Sequence, residues 1–147
     1  IKLLKRLWTE RSVNFQGEFD QVTHAGVNPL PIQHTIPVWF GGGSDATLKR
    51  AAHLGDGWIP LGNPGSKTIK MIEKLNSFLE EENRDRTKFG IEAWIRYGDG
   101  EPDAWRATAE KWRQLGATHL TFYTSGQGAG TVPEQIEAMK IFKDAMQ

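Results

Sequence analysis

Apolar residues recur along the chain with two periods, and the alternation between them predicts the architecture. Ile1, Leu4, Leu7 and Trp8 share a face of a helix over 1–10. Val13 and Phe15 alternate with polar residues, and Gln16-Gly17 predicts a turn before Phe19, so 13–22 reads as a hairpin. Residues 26–37 hold three prolines and no period, the mark of an extended connector. A strand follows at Val38, Trp39 and Phe40, then Gly41, Gly42 and Gly43, then a helix with Leu48, Ala51 and Ala52 on one side. Ser44 is its N-cap, Asp45 faces the positive end of its dipole, and Gly55 stops it.

A second strand begins at Trp58 and Ile59. Ser66 then caps a long helix striped by Ile69, Ile72, Leu75, Phe78 and Leu79. A third strand, 89–97, places Ile91, Ala93, Ile95 and Tyr97 on one face and Glu92, Trp94 and Arg96 on the other. Asp103 caps a helix carrying Trp105, Ala109, Trp112 and Leu115, and 120–124 is the fourth strand, with Leu120 and Phe122 opposing Thr121 and Tyr123. Thr131 and Glu134 form a capping box for the last helix, whose apolar face reads Ile136, Met139, Phe142 and Met146. Four strands alternating with helices predict a parallel α/β sheet. A complete (β/α)8 barrel needs about 250 residues, so 147 residues supply about half of one. A small doubly wound sheet is the rival topology.

The candidate chemistry sits at the glycine turn. A strand delivered through glycines into a helix N-terminus aims several backbone N–H groups at one point, which suits a phosphate. The hydroxyls of Ser44 and Thr47 are further donors, one helical turn apart. The plainer alternative is an ordinary capped turn. In a barrel, ligands lie at the C-terminal strand ends, which selects the Gly41–Thr47 turn, 60–63, 96–99 and 123–127. Arg96 either contacts a ligand or only neutralises Glu92. The glycine-rich loop 126–130, beside Tyr123 and Ser125, either closes over a phosphate or ligand or is a mobile surface loop, the second being the plainer reading.

The stretches NFQGEFDQV, PLPIQHTIPVWFGGGSDATLKRAA, LGDGWIPLG and LGATHLTFYT span nearly the whole chain. Together they resemble the C-terminal half of the luciferase-like flavin- or F420-dependent oxidoreductases. The resemblance implies a C-terminal half of a (β/α)8 TIM-type barrel with an inserted hairpin: one unit over 1–147, with helix, hairpin and connector in 1–35 and four βα units in 36–147. It implies hydride transfer or monooxygenation on a small organic substrate. Gly41, Gly42, Gly43, Ser44 and Thr47 would grip the cofactor phosphate, and Trp58, Arg96 and Tyr123 would line the ligand. FMN is the first expectation and F420 the alternative. No catalytic residue is assigned, because in the family much of the ring and substrate contact comes from the other half. The competing reading is a non-catalytic half-barrel that binds a phosphate-bearing ligand or a partner chain.

Composition narrows the classes further. Eighteen basic and eighteen acidic residues cancel, giving no basic excess for nucleic acid. Cysteine is absent, which removes disulfides and thiolate sites, and no histidine pair has metal-ligand spacing. No apolar run is long enough to span a bilayer and no signal peptide is evident, so a cytoplasmic protein is expected. The first helix begins without a cap or an initiator Met, as though cut from a longer chain. Half a barrel has open edges, so pairing with a second copy or with the missing N-terminal half is expected.

Overall fold

The computed structural model describes all 147 residues. They form two compact units, 1–38 and 39–147, where the sequence suggested one unit with an internal break after residue 35.

In the first unit, α1 (Lys2–Thr9) precedes an antiparallel hairpin of β1 (Val13–Gln16) and β2 (Gln21–Ala25). Arg6 ties the helix end together, its guanidinium meeting both carboxylate oxygens of Glu10 at 2.7 and 2.8 Å. The hairpin is shifted from its expected place. Gly17 N–H bonds to Asp20 C=O at 2.8 Å, so Phe19 lies in the turn and is almost fully exposed, and pairing resumes at Gln21.

The second unit is a parallel sheet in sequential order: β3 (Trp39–Gly41), β4 (Gly57–Ile59), β5 (Gly90–Arg96) and β6 (His119–Tyr123). The crossovers are α2 (Asp45–Leu54), α3 (Ser66–Glu81) and α4 (Pro102–Gln114), and α5 (Val132–Ala145) follows β6. Helix-side residues of all four strands pack the same way. Trp58 and Ile91 join Leu48, Ala51, Ile72, Leu75 and Leu79 in one core, with Phe40 against it. Phe122 stacks on Phe142 of α5 at 4.0 Å and meets Trp105 of α4 edge-on. A doubly wound sheet reverses its strand order and carries helices on both faces. Sequential order with α2 to α5 on one face is barrel topology, so the rival is excluded.

The other face is the lumen, and strand registers align its rows. Trp39, Gly57 and Gly90 are neighbours across three strands, as are Glu92 with His119, Trp94 with Thr121, and Arg96 with Tyr123. The six-membered ring of Trp39 covers Gly57 and Gly90, where any Cβ would overlap it, and His119 meets the ring edge-on at 4.9 Å. Trp39 therefore floors the lumen at the N-terminal end of the strands.

Local signals shifted by one or two residues in places. Gly65, not Ser66, caps α3. Glu101 occupies the cap position of α4, and Asp103 sits in the first turn, where it pairs with Arg106. The face of α5 differs more. Ala138, Phe142 and Ala145 turn inward, while Ile136 and Met139 are half exposed. No helix is long and apolar enough to cross a membrane.

Candidate phosphate-binding turn and lumen

The Gly41–Thr47 turn is held from two sides. Gly42 has φ +118°, a value that side-chain-bearing residues rarely take. Its N–H bonds to Ile59 C=O at 3.3 Å, and its carbonyl accepts from Trp58 Nε1 at 2.6 Å. Both polar groups of one glycine are thus fixed by β4. Gly43 lies close under the thioether of Met71 of α3, which would have to move aside for a Cβ there.

Ser44 caps α2 as expected, its Oγ accepting from Thr47 N–H at 3.2 Å and lying 2.9 Å from Thr47 Oγ1. In that hydroxyl pair one proton is shared inward and one remains for a ligand. The N–H groups of Gly43, Ser44, Asp45 and Ala46 have no partner within the chain. These are the orphan donors of a helix start, and the dipole adds positive potential there.

The N-terminus of α5 shows the contrast. Its capping box is the expected one, but Glu134 itself accepts from Gly130 N–H at 3.0 Å and Thr131 N–H at 2.8 Å. The Thr131 N–H, chiefly, holds that carboxyl below the usual carboxylate range. A second anion would compete with a carboxylate already in place.

Asp45 puts a negative charge in the first turn of α2, where it would oppose a bound anion. Lys74 of α3 donates to both its oxygens, at 2.7 and 3.0 Å. Lys74→Ala is therefore expected to weaken phosphate binding by about two- to threefold, since exposed pairs are worth little. The loss should shrink at high salt. A titration at two ionic strengths checks this, and a loss that salt leaves unchanged would refute the electrostatic account.

The lining residues separate. Arg96 and Trp94 border a cleft with Pro60, Leu61, Gly62 and Asn63 at the C-terminal strand ends, and Tyr123 stacks on Trp94 with ring centres 6.1 Å apart. Glu92 does not pair with Arg96. Its Oε1 accepts from Thr121 Oγ1 at 2.7 Å and Trp94 Nε1 at 3.0 Å, so it orients the Trp94 indole. Trp58 is a correction: it is fully buried on the helix side and lines no lumen. The hydrophobic requirement of the α2–α3 core claims its ring, and only its indole N–H reaches the turn. Tyr97 likewise turns to the helix side, against Trp105 and Phe122. A larger concavity, about 590 Å³, lies at the opposite end of β6 between α4 and α5, away from these groups.

Sequence reasoning missed the Trp58–Gly42 and Lys74–Asp45 bonds. Their partners stand 16 and 29 residues apart, beyond any local spacing rule.

The sheet and its helices define a part of a (β/α)8 barrel, and the family follows from the sequence match. The luciferase-like monooxygenase family matches residues 1–142, and the chain belongs to it. One relative is the F420-dependent glucose-6-phosphate dehydrogenase 2 of Rhodococcus jostii (strain RHA1). It is 29% identical over 122 residues, which are 80% of this chain and 36% of the relative. The chain thus spans about a third of that relative's length. Among solved structures, the coenzyme F420-dependent tetrahydromethanopterin reductase of Methanopyrus kandleri superposes with TM-score 0.77 at 13% identity. That match covers 99% of this chain and 61% of the reductase. An F420-dependent secondary alcohol dehydrogenase in complex with an F420-acetone adduct gives TM-score 0.74 at 16% identity, covering 99% and 59%. At such identities the superpositions establish the fold.

Proposed function

We propose that this chain is the cofactor-phosphate-binding part of a luciferase-like oxidoreductase that uses F420. The observation that carries the reading is the start of α2, where four N–H groups have no partner in the chain, behind a glycine turn braced by β4. Gly42 leaves the backbone without a side chain for close approach, and Gly43, Ser44 and Thr47 supply donors; these residues fit a phosphate. Gly41 ends β3 and delivers the turn. When bound, the deazaflavin supplies hydride transfer. The chain's own residues bind and orient it, with Trp94, Tyr123 and Arg96 lining the ligand side.

The expected order of cofactors is reversed from FMN first. The glucose-6-phosphate dehydrogenase relative named above is F420-dependent, which supports the deazaflavin. The two share a phosphate-bearing side chain, so the turn accepts either while the ring decides. Fluorescence titration of the 147-residue chain with both compounds tests this. F420 is expected to bind more tightly than FMN, and binding of neither would overturn the reading.

A second reading has a specific observation behind it. Trp94 and Tyr123 on the lumen face remain more than a third exposed, so the isolated chain does not enclose a ligand. On that reading it binds a phosphate-bearing ligand or a partner and turns nothing over. Sustained cofactor-dependent oxidation by the purified chain would exclude it.

A further inference from the structure

We propose that Trp58 is a positioning residue of the phosphate grip, locking the peptide between Gly42 and Gly43 so that the Gly43 N–H points outward to the anion. The proposal rests on the reading that the α2 N-terminus takes the cofactor phosphate. A trans peptide is planar, and its C=O and N–H point in opposite directions. The Gly42 carbonyl is drawn toward the core by Trp58 Nε1 at 2.6 Å, and the Gly43 N–H is thereby turned the other way.

This peptide needs a lock because it has a glycine on each side. Rotation of ψ at Gly42 against φ at Gly43 meets no Cβ on either residue, so the reversed orientation is open to the backbone. Reversal would aim a carbonyl oxygen at the anion. The Ile59 bond to Gly42 N–H does not prevent it, since that N–H belongs to the preceding peptide. Trp58 does, because it is fully buried and reversal would leave its indole N–H without an acceptor. The Trp105 and Trp112 indoles, also buried, have no such partner, so the Trp58 bond is a specific feature of the turn.

The test is Trp58→Phe, which keeps an aromatic ring in the core and removes the donor. Affinity is read for two ligands, F420 and its phosphate-free deazaflavin core. The variant is expected to bind F420 about tenfold more weakly, the scale of one oriented hydrogen bond to a charged group. Its affinity for the phosphate-free core is expected to be unchanged. Equal losses for both ligands, or no loss for either, would overturn the proposal.

Ser44→Ala separates this failure from failure of the phosphate reading. If Ser44→Ala also leaves the F420 advantage intact, the grip itself is misplaced. If only Trp58→Phe leaves it intact, the lock alone fails. Should the Phe variant not fold, the parent chain carries the test through the Trp58 indole N–H in 15N spectra. That proton is expected to exchange slowly and to shift with F420 and not with the phosphate-free core. Fast exchange, or an equal shift with both, would refute the lock.

Discussion

Gly42→Val is expected to lower F420 affinity by about a hundredfold, the loss of roughly two hydrogen bonds to a charged group. Two causes act together. At φ +118° a side chain forces the backbone out of its observed path, a strain of about 1–3 kcal/mol. A single Cβ would sit 3.4 Å from Thr47 Cγ2, an ordinary contact, so the branched methyls of valine supply the bulk. Gly42→Ala isolates the backbone cause and should lose less. Melting curves run beside the titrations show whether the fold survives. Equal affinity in the valine variant and the parent, with both folded, would make the turn purely structural.

In sedimentation at micromolar concentration the chain is expected to run as a dimer or larger species. The sheet ends at β3 on one side and β6 on the other, and neither outer edge has a strand partner. Leu120 on β6 and Ile136 and Met139, one turn apart on α5, are each about 40–50% exposed, apolar surface of the kind that seeks cover. Parallel sheets are normally covered on both faces, and zero net charge gives little repulsion between copies. A second copy would cover the lumen face, and adding the part of a full-length relative that this chain does not match should compete with self-association. A stable, cooperatively unfolding monomer would contradict the expectation.

How much of this was readable in advance depended on the range of the governing interaction. The faces of β5 were legible because alternation is local: Ile91, Ala93 and Ile95 are buried, and Glu92, Trp94 and Arg96 face the lumen. The Ser44 cap and the Thr131–Glu134 box were legible for the same reason. The face of α5 was misread because hydrophobicity alone favours Ile136 and Met139. Close approach to α4 and β6 instead selects the small Ala138 and Ala145 around the Phe142–Phe122 stack. Trp58 was misplaced because an aromatic beside a ligand loop suits a pocket or a core equally. Only its neighbours Leu48, Ile72 and Leu75 decide between them.

Trp39, Gly57 and Gly90 amount to one side chain's volume distributed over three strands. The indole takes the space that two Cβ atoms would otherwise fill, so the glycines are set by size and not by backbone freedom. Neither has a positive φ. The three positions can therefore change only in concert: a methyl gained at 57 or 90 calls for atoms lost at 39. Shrinking Trp39 alone would uncover Gly57 and Gly90, and enlarging either glycine alone would push the indole off the sheet. The depth of the lumen face is in this sense adjustable from three residues at the N-terminal ends of their strands, opposite the end that carries the Gly41–Thr47 turn.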